Sequence, residues 1–258
     1  MKQEFQRHFD ACNNAVLPGD RTRLLIGTDL VGWLEPRIAA ALLERHAADA
    51  AQDGLVLRNP TALPGIAQDL AEAGFYRFRN EAFDVKSAPD GPALSTIDRG
   101  ALPAFGVMAE GVHLNGLVRR PDGMHLWVAR RAADKALDPG KLDHLAAGGV
   151  SAGMGPWETL IKESGEEAAI SAELASQAKC VGKLSYSMMR PEGLRRDLLH
   201  CYDLDLPEDF IPCATDGEVE SFELWPVSRV YAAVRDTDDF KFNVSLVLID
   251  LFGRLGML

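Results

Sequence analysis

The sequence has few cysteines, no apolar leader and no long apolar run, and each shortage excludes a class of protein. Its four cysteines form no CxxC pair, so we expect reduced thiols rather than a disulfide framework or a zinc site. The first residues, MKQEFQRHFDACNN, lack the apolar segment of a secretory signal. The apolar run near the C-terminus, VSLVLIDLF, is too short to cross a bilayer. We therefore expect no membrane partner and a cytoplasmic location.

Positive charge is also scarce. The 258 residues include 27 Lys or Arg against 38 Asp or Glu, a formal net charge of −11. Because nucleic-acid binding requires a basic surface, we expect no nucleic acid among the partners. An anionic substrate would need local cations or metal ions at its site. Length and composition fit a globular protein with one large or two modest domains.

Residues 148–170, GGVSAGMGPWETLIKESGEEAAI, carry the strongest functional signal. Two glycines open the stretch, and Pro156 suits the first turn of a helix. Glu163, Glu166 and Glu167 stand at i, i+3 and i+4, so they share one helical face. Carboxylates crowded in this way suit Mg²⁺ or Mn²⁺. The alternative is a solvated acidic face, but the glycine-rich segment directly before the helix favours a site.

This stretch resembles the Nudix box, G-x5-E-x7-R-E-U-x-E-E-x-G-U with U apolar. Gly148 takes the first glycine, Glu163 the acid after the arginine, Glu166 and Glu167 the acidic pair, and Ile170 the last apolar position. The resemblance implies that the three glutamates bind a metal ion and take part in catalysis. It also implies that the Gly148 backbone completes the metal shell.

Three positions depart from the pattern. Met154 stands at the first Glu, Lys162 at the Arg, and Ala169 at the last Gly. In the family, the Glu and Arg brace the loop against the helix. Their joint replacement therefore concerns loop geometry more than metal binding, and indicates a variant subfamily.

The resemblance extends over most of the chain. The order of the segments VGW, RFRNEAFDV, ALPAFGV and GVHLNG is similar to the Nudix branch fused to thiamine pyrophosphokinase in fungi. It implies an α/β fold, a Nudix-type α/β/α sandwich with a mixed sheet in residues 106–258. A smaller α+β N-terminal domain in residues 1–105 would precede it as a possible substrate cap. Nudix proteins often dimerise, so a homodimer is also expected.

A second acidic group and a basic group are further site candidates. Nudix enzymes often place one more Glu in a late loop or strand, which makes Glu218 or Glu220 a candidate. The alternative is a turn followed by exposed strand residues. Positive charge on the approach to the box could bind substrate phosphates, or it could be ordinary surface charge. Those cations are Arg130, Arg131, Lys135 and Lys141. Strand alternation places the two arginines on opposite faces.

Other residues have a structural alternative that we prefer. His113 and Asn115 share a strand face and could contact substrate, but buried, hydrogen-bonded polar residues are commoner there. Trp157 and the other tryptophans could stack a ring, but a Trp more often packs in a core. The segment 75–85 alternates like a strand. Apolar spacing over residues 37–50 favours one helix.

Three functions stay open at this point. The first is Mg²⁺- or Mn²⁺-dependent hydrolysis of a small-molecule diphosphate, for which the branch implies an oxidised or damaged thiamine diphosphate cleaved to the monophosphate and phosphate. The second is a general nucleotide-sugar or dinucleotide pyrophosphatase. The third is a non-catalytic Nudix-fold sensor, which Met154 and Lys162 favour and the three retained glutamates oppose.

Overall fold

The structure, a computed structural model, describes residues 3–134, 137–215 and 217–258. The first part contains a four-stranded sheet of order β2-β1-β4-β3, in which β1 and β4 are parallel. Its strands are β1 (Thr22–Ile26), β2 (Asp29–Leu34), β3 (Ala48–Ala51) and β4 (Gly54–Leu57). The helices here are α1 (Gln6–Cys12), α2 (Pro36–Glu44), α3 (Leu63–Glu72) and α4 (Leu102–Phe105). Apolar residues between Leu24 and Val107 form one buried core.

Two predictions for this part are wrong in detail. The helix predicted over 37–50 ends at Glu44, and residues 48–51 form β3. The strand predicted over 75–85 is limited to β5 (Ala82–Val85), which pairs with β6 (Ser95–Asp98). The backbone N–H groups of Arg79 and Glu81 donate to the Asp98 carboxylate at 2.9 and 3.1 Å. The Asp98 side chain therefore accepts the backbone hydrogen bonds that a neighbouring strand would otherwise have accepted.

The second part is built on a seven-stranded mixed sheet. Its central path is β11-β12-β7-β8-β13, with β10 paired to β7 and β9 paired to β8. The strands are β7 (Met108–Arg120), β8 (Gly123–Arg131), β9 (Leu142–Asp143), β10 (Ala146–Gly149), β11 (Lys179–Arg190), β12 (Gly193–Asp205) and β13 (Val219–Pro226). β7 runs parallel to β12 and antiparallel to β8 and β10. The helices are α5 (Pro156–Ala168), α6 (Ala172–Ala175), α7 (Val227–Asp236) and α8 (Phe242–Arg254).

Alternation along β7 separates two layers of helices. Val112 and Leu114 lie in the core that α5 covers. Between them, His113 faces the other way and lies 3.4 Å from Asn243 of α8. The sheet therefore has α5 on one face and α8 on the other, which confirms the predicted α/β/α arrangement. No helix of the described residues is long and apolar enough to span a membrane.

The two parts of the chain share contacts. Phe5 and Cys12, at the ends of the N-terminal helical segment, are buried in clusters that include residues of α8. His8 also hydrogen-bonds to the carbonyl of Val234 in α7 at 2.7 Å. The first helix thus packs against the second part. The division into domains 1–105 and 106–258 stays a prediction.

Candidate active site

Helix α5 begins and ends where its sequence dictates. Gly155 precedes Pro156, whose missing N–H costs nothing in a first helical turn. The helix ends at Ala168 because Ala169 adopts the left-handed conformation, with φ 55° and ψ 32°. Glycine takes this conformation without steric cost. This explains why the Nudix box has its last glycine at this position.

Gly148 lies directly beneath one of the predicted metal ligands. A Cβ built on Gly148 would lie 2.4 Å from Glu163 Cγ and 2.7 Å from its Oε2. No real Cβ contact is that short, so only glycine lets β10 approach this glutamate. Burial raises the pKa of the Glu163 carboxyl, and the nearby charges of Glu166 and Glu218 add to the effect.

Glu167 is the most enclosed of the three glutamates, with 7% of its surface exposed. Its Oε2 accepts a 2.7 Å hydrogen bond from the backbone N–H of Ala147 in β10. Burial raises its pKa to about 8, and the negative charges of Asp143, Glu163 and Glu218 act in the same direction. Burial and neighbouring negative charge therefore both disfavour the ionised form of this carboxyl.

Lys162 supplies a cation to the other two glutamates. Its Nζ lies 2.5 Å from Glu166 Oε2 and 3.1 Å from Glu163 Oε1. The hydrogen bond to Glu166 is the main reason that the Lys162 pKa is raised. Met154, at the position of the missing loop Glu, packs against the core beneath α5. The two substituted positions thus no longer form a charged pair with each other.

Glu218 comes close to this group from a distant part of the sequence. It lies directly before β13, and its carbonyl accepts a 3.0 Å hydrogen bond from the N–H of Ala132. Its side chain is exposed, and its charge raises the pKa of both Glu163 and Glu167. The donors are thus carboxylate oxygens with excess negative charge, which fit a hard divalent cation. Glu220 is an exposed residue of β13.

The three predicted phosphate-binding cations that the structure describes already have hydrogen-bond partners. Arg130 Nη1 donates to the Gly140 carbonyl at 2.9 Å. Arg131 lies 2.7 Å from Asp143 and donates to the carbonyls of residues 137 and 138. Lys141 donates to the carbonyl of Asp238. Lys135 lies outside the described residues.

Sequence reasoning missed a buried polar cluster on the other face of the sheet. His113 Nδ1 lies 2.9 Å from His144 Nδ1, and Asp143 is adjacent. Candidate ligand atoms of these three residues lie within 4.8 Å of one another. However, Asp143 Oδ2 also lies 3.5 Å from Lys241 Nζ, as well as close to Arg131.

Lys241 and Arg131 determine the charge state of this buried cluster. Burial alone would raise the Asp143 pKa, but Lys241 and other neighbours hold it below its ordinary value. Burial also lowers the pKa of His144 to about 4, so this imidazole is neutral. A divalent ion here would face an ammonium and a guanidinium. His113, Asp143 and His144 therefore form a hydrogen-bonded cluster whose charge Lys241 and Arg131 balance. The carboxylates around Gly148 are the better ligands for a metal ion.

His113, Asn115 and every tryptophan except Trp157 are buried, which is the structural alternative given above. Asn115 is buried and donates to Asp203 at 2.8 Å. Trp127 is 9% exposed and lies in the core, as predicted. Trp157, near the start of α5, is 40% exposed, with its ring centroid 6.0 Å from that of Tyr202.

Comparison with known proteins adds family evidence to this geometry. Residues 111–244, more than half of the chain, match the NUDIX domain family. Nudix hydrolase 20, chloroplastic, of Arabidopsis thaliana is 38% identical over 259 residues, which cover 93% of this chain and 69% of that protein. Nudix hydrolase 24, chloroplastic, of the same plant is 43% identical over 203 residues, which cover 79% of this chain and 52% of that protein.

One solved structure supports the fold. The crystal structure of DR0079 from Deinococcus radiodurans superposes with a TM-score of 0.52 and 19% identity, covering 66% of this chain and 98% of that one. At that identity the likeness concerns the fold alone.

A carboxylate-rich helix behind a glycine loop, on one face of a mixed sheet, defines a site of the diphosphate-hydrolysing class. The chain belongs to the Nudix family. It is a Nudix diphosphohydrolase, an enzyme of pyrophosphatase type. The chain spans about two thirds of Nudix hydrolase 20 and about half of Nudix hydrolase 24.

Proposed function

We propose that this chain hydrolyses the diphosphate of a small molecule with Mg²⁺ or Mn²⁺ held by Glu163, Glu166 and Glu167. The observation that carries the proposal is the crowding of these carboxylates around Gly148, with raised pKa values at Glu163 and Glu167. Partly buried carboxylates that crowd one another favour a bound cation. A pure binding module would have no need of them.

The residues have separate roles in this proposal. A bound metal would supply charge neutralisation of the diphosphate and activation of the attacking water. Glu166 and Glu167 would hold the ion from the rigid helix, together with the Gly148 carbonyl. Glu163 would take the proton of the water, or Glu218 would do so in its place. Burial raises the pKa of Glu163, and a higher pKa makes its carboxylate a stronger proton acceptor.

The cations at the end of β8 and in the sequence after it would bind the phosphate oxygens. Each guanidinium has five N–H donors, and Arg130 uses one of them on the Gly140 carbonyl. We propose that remaining donors of Arg130, Arg131, Lys135 and Lys141 contact the substrate. Because Arg131 is committed to Asp143, the main contribution would come from the other three.

For the substrate, we propose an oxidised or damaged thiamine diphosphate, cleaved to the monophosphate and phosphate. Support comes from the resemblance to the thiamine-linked branch over most of the chain. The alternative is a nucleotide sugar or dinucleotide. We also propose that residues 1–105 cap the pocket and that the protein is a cytoplasmic homodimer. Light scattering during size exclusion tests the oligomeric state.

Phosphate release across a substrate panel tests the proposed activity. The panel contains thiamine diphosphate, its oxo and oxy analogues, ADP-ribose, NADH, nucleoside triphosphates and UDP-glucose, each with Mg²⁺ and with Mn²⁺. We expect preferred turnover of the damaged thiamine diphosphates. The substitution Glu166→Gln should abolish it, and Glu173→Gln, at an exposed residue of α6, should not. Turnover that survives Glu166→Gln would contradict the site. Preference for a nucleotide would contradict the thiamine substrate alone.

A further inference from the structure

We propose that strand β5 and Lys86, outside the family match, act as positioning residues for the Nudix glycine loop. The glycine loop here means residues 148–154. The family match covers 111–244, whereas β5 spans Ala82–Val85. The inference rests on the proposed function, because the loop matters to catalysis only if Gly148 and its glutamates hold the metal.

Backbone groups of the loop bond directly to β5. The Ala152 N–H donates to the Ala82 carbonyl at 2.8 Å. The Gly153 N–H points to Asp84 Oδ2 at 3.4 Å, and Gly153 has a φ of 77°, in the left-handed region that favours glycine. Donors at the tip of the loop therefore find acceptors on a strand of the first part. Without them, these N–H groups would depend on water.

An aromatic ring of β5 supports the opposite side of the loop. Phe83 is 3% exposed, and a Cβ built on Gly149 would lie 2.5 Å from its Cζ. Gly149 thus approaches the ring more closely than any other residue could. Since Glu163 packs on Gly148 in the same way, consecutive glycines lie against a β5 side chain and an α5 side chain. The loop is held between the two elements.

A network of charged side chains centred on Glu110 holds the loop at Val150. The Val150 N–H donates to the Glu110 carbonyl at 2.9 Å. The Glu110 carboxylate lies 2.9 Å from Lys86 Nζ and 2.7 Å from His200 Nε2, and it is nearly buried. Breaking an enclosed ion pair leaves an uncompensated charge. Lys86 therefore ties the segment after β5 to the strand on which the loop is paired.

These contacts replace a brace that the box itself does not supply. Met154 has no charge to offer the helix, and Lys162 Nζ lies between Glu163 and Glu166. The attachment of the loop thus comes from a part of the chain that precedes the Nudix match. The carbonyl of Gly148 and the N–H of Ala147 are positioned as a consequence.

Amide hydrogen exchange on the metal-free protein tests the attachment itself. We expect Phe83→Ala and Asp84→Ala to accelerate exchange at residues 150–153 by at least tenfold. Asp84→Asn, whose amide oxygen still accepts a hydrogen bond, should stay within about twofold of wild type. The control is Leu70→Ala, which removes a fully buried side chain of the same first core, in α3. Unchanged exchange at the loop, or equal acceleration in Leu70→Ala, would overturn the proposal.

Mn²⁺ titrations followed by electron paramagnetic resonance test whether the attachment of the loop to β5 supports metal binding. We expect Phe83→Ala and Asp84→Ala to weaken Mn²⁺ binding at least fivefold, with Asp84→Asn close to wild type and Leu70→Ala unaffected where all variants are folded. Wild-type affinity in both alanine variants would overturn a positioning role. If wild type and Glu166→Gln bind Mn²⁺ equally, the proposed function fails, and hydrogen exchange alone still decides whether β5 holds the loop.

Discussion

The buried carboxyl of Glu167 should make the stability of the metal-free protein fall as pH rises. Its pKa in the folded state is about 8, against an ordinary value of 4.5. The folded state therefore binds this proton more tightly than the unfolded chain does. The stabilisation is complete below the ordinary pKa and is lost as pH rises through the folded-state pKa. Each intervening pH unit costs about 1.4 kcal/mol, or about 2.5 kcal/mol between about pH 5 and about pH 7.

Removal of the titrating group should remove this dependence. Glu167→Gln keeps an amide oxygen that can accept the hydrogen bond from Ala147 and carries no ionisable proton. Urea unfolding in a chelator, from about pH 5 to about pH 8, compares wild type with this variant. The free energies of unfolding should diverge by about 2.5 kcal/mol over the first two units, with the variant more stable at the higher pH. The control is Glu173→Gln, which should parallel wild type.

Bound Mn²⁺ should reverse the fall in the free energy of unfolding of the wild-type protein as pH rises. Since a ligand must be deprotonated to bind a cation, the affinity for Mn²⁺ should rise with pH up to about pH 8. Parallel unfolding curves for wild type and Glu167→Gln, within about 0.5 kcal/mol, would refute the claim that burial and negative neighbours raise the pKa of this carboxyl.

Three further substitutions have outcomes set by local geometry. Gly148→Ala places a methyl group against Glu163 and should weaken Mn²⁺ binding at least about tenfold in equilibrium dialysis, while Gly182→Ala, which has open space around it, should not. Ala169→Gly relieves the left-handed alanine and should raise the free energy of urea unfolding by about 0.5–1 kcal/mol; a loss would contradict this. Lys162→Met removes the competing ammonium and should tighten Mn²⁺ binding about threefold to tenfold by the same dialysis, whereas weaker binding would make this lysine a support of the site.

The helix of the box and the two faces of β7 were predictable because the sequence signals for them are local. The acidic face of α5 follows from i, i+3 and i+4 spacing, and its start from Pro156. The alternation of β7 separates Val112 from His113 whatever the tertiary contacts are. Residues close in sequence determine these features, so one sequence suffices to predict them.

Contacts between distant segments were not predictable in the same way. Asp143 and Lys241 are separated by 98 positions, and only folding brings the start of α8 to β9. The segment 75–85 alternates like a strand, but Asp98 captures its backbone donors. The role of Phe83 depends on where β5 meets Gly149, which periodicity alone does not encode.

Anomalous diffraction from a crystal soaked in Mn²⁺ tests the central claim most directly. Two clusters of candidate ligands lie among the described residues, the carboxylates around Gly148 and the buried group that contains His144 and Asp143. The account predicts manganese bound by Glu163, Glu166 and Glu167, and none at the buried group. Manganese on the imidazoles, with Glu163 and Glu166 still paired to Lys162, would contradict it.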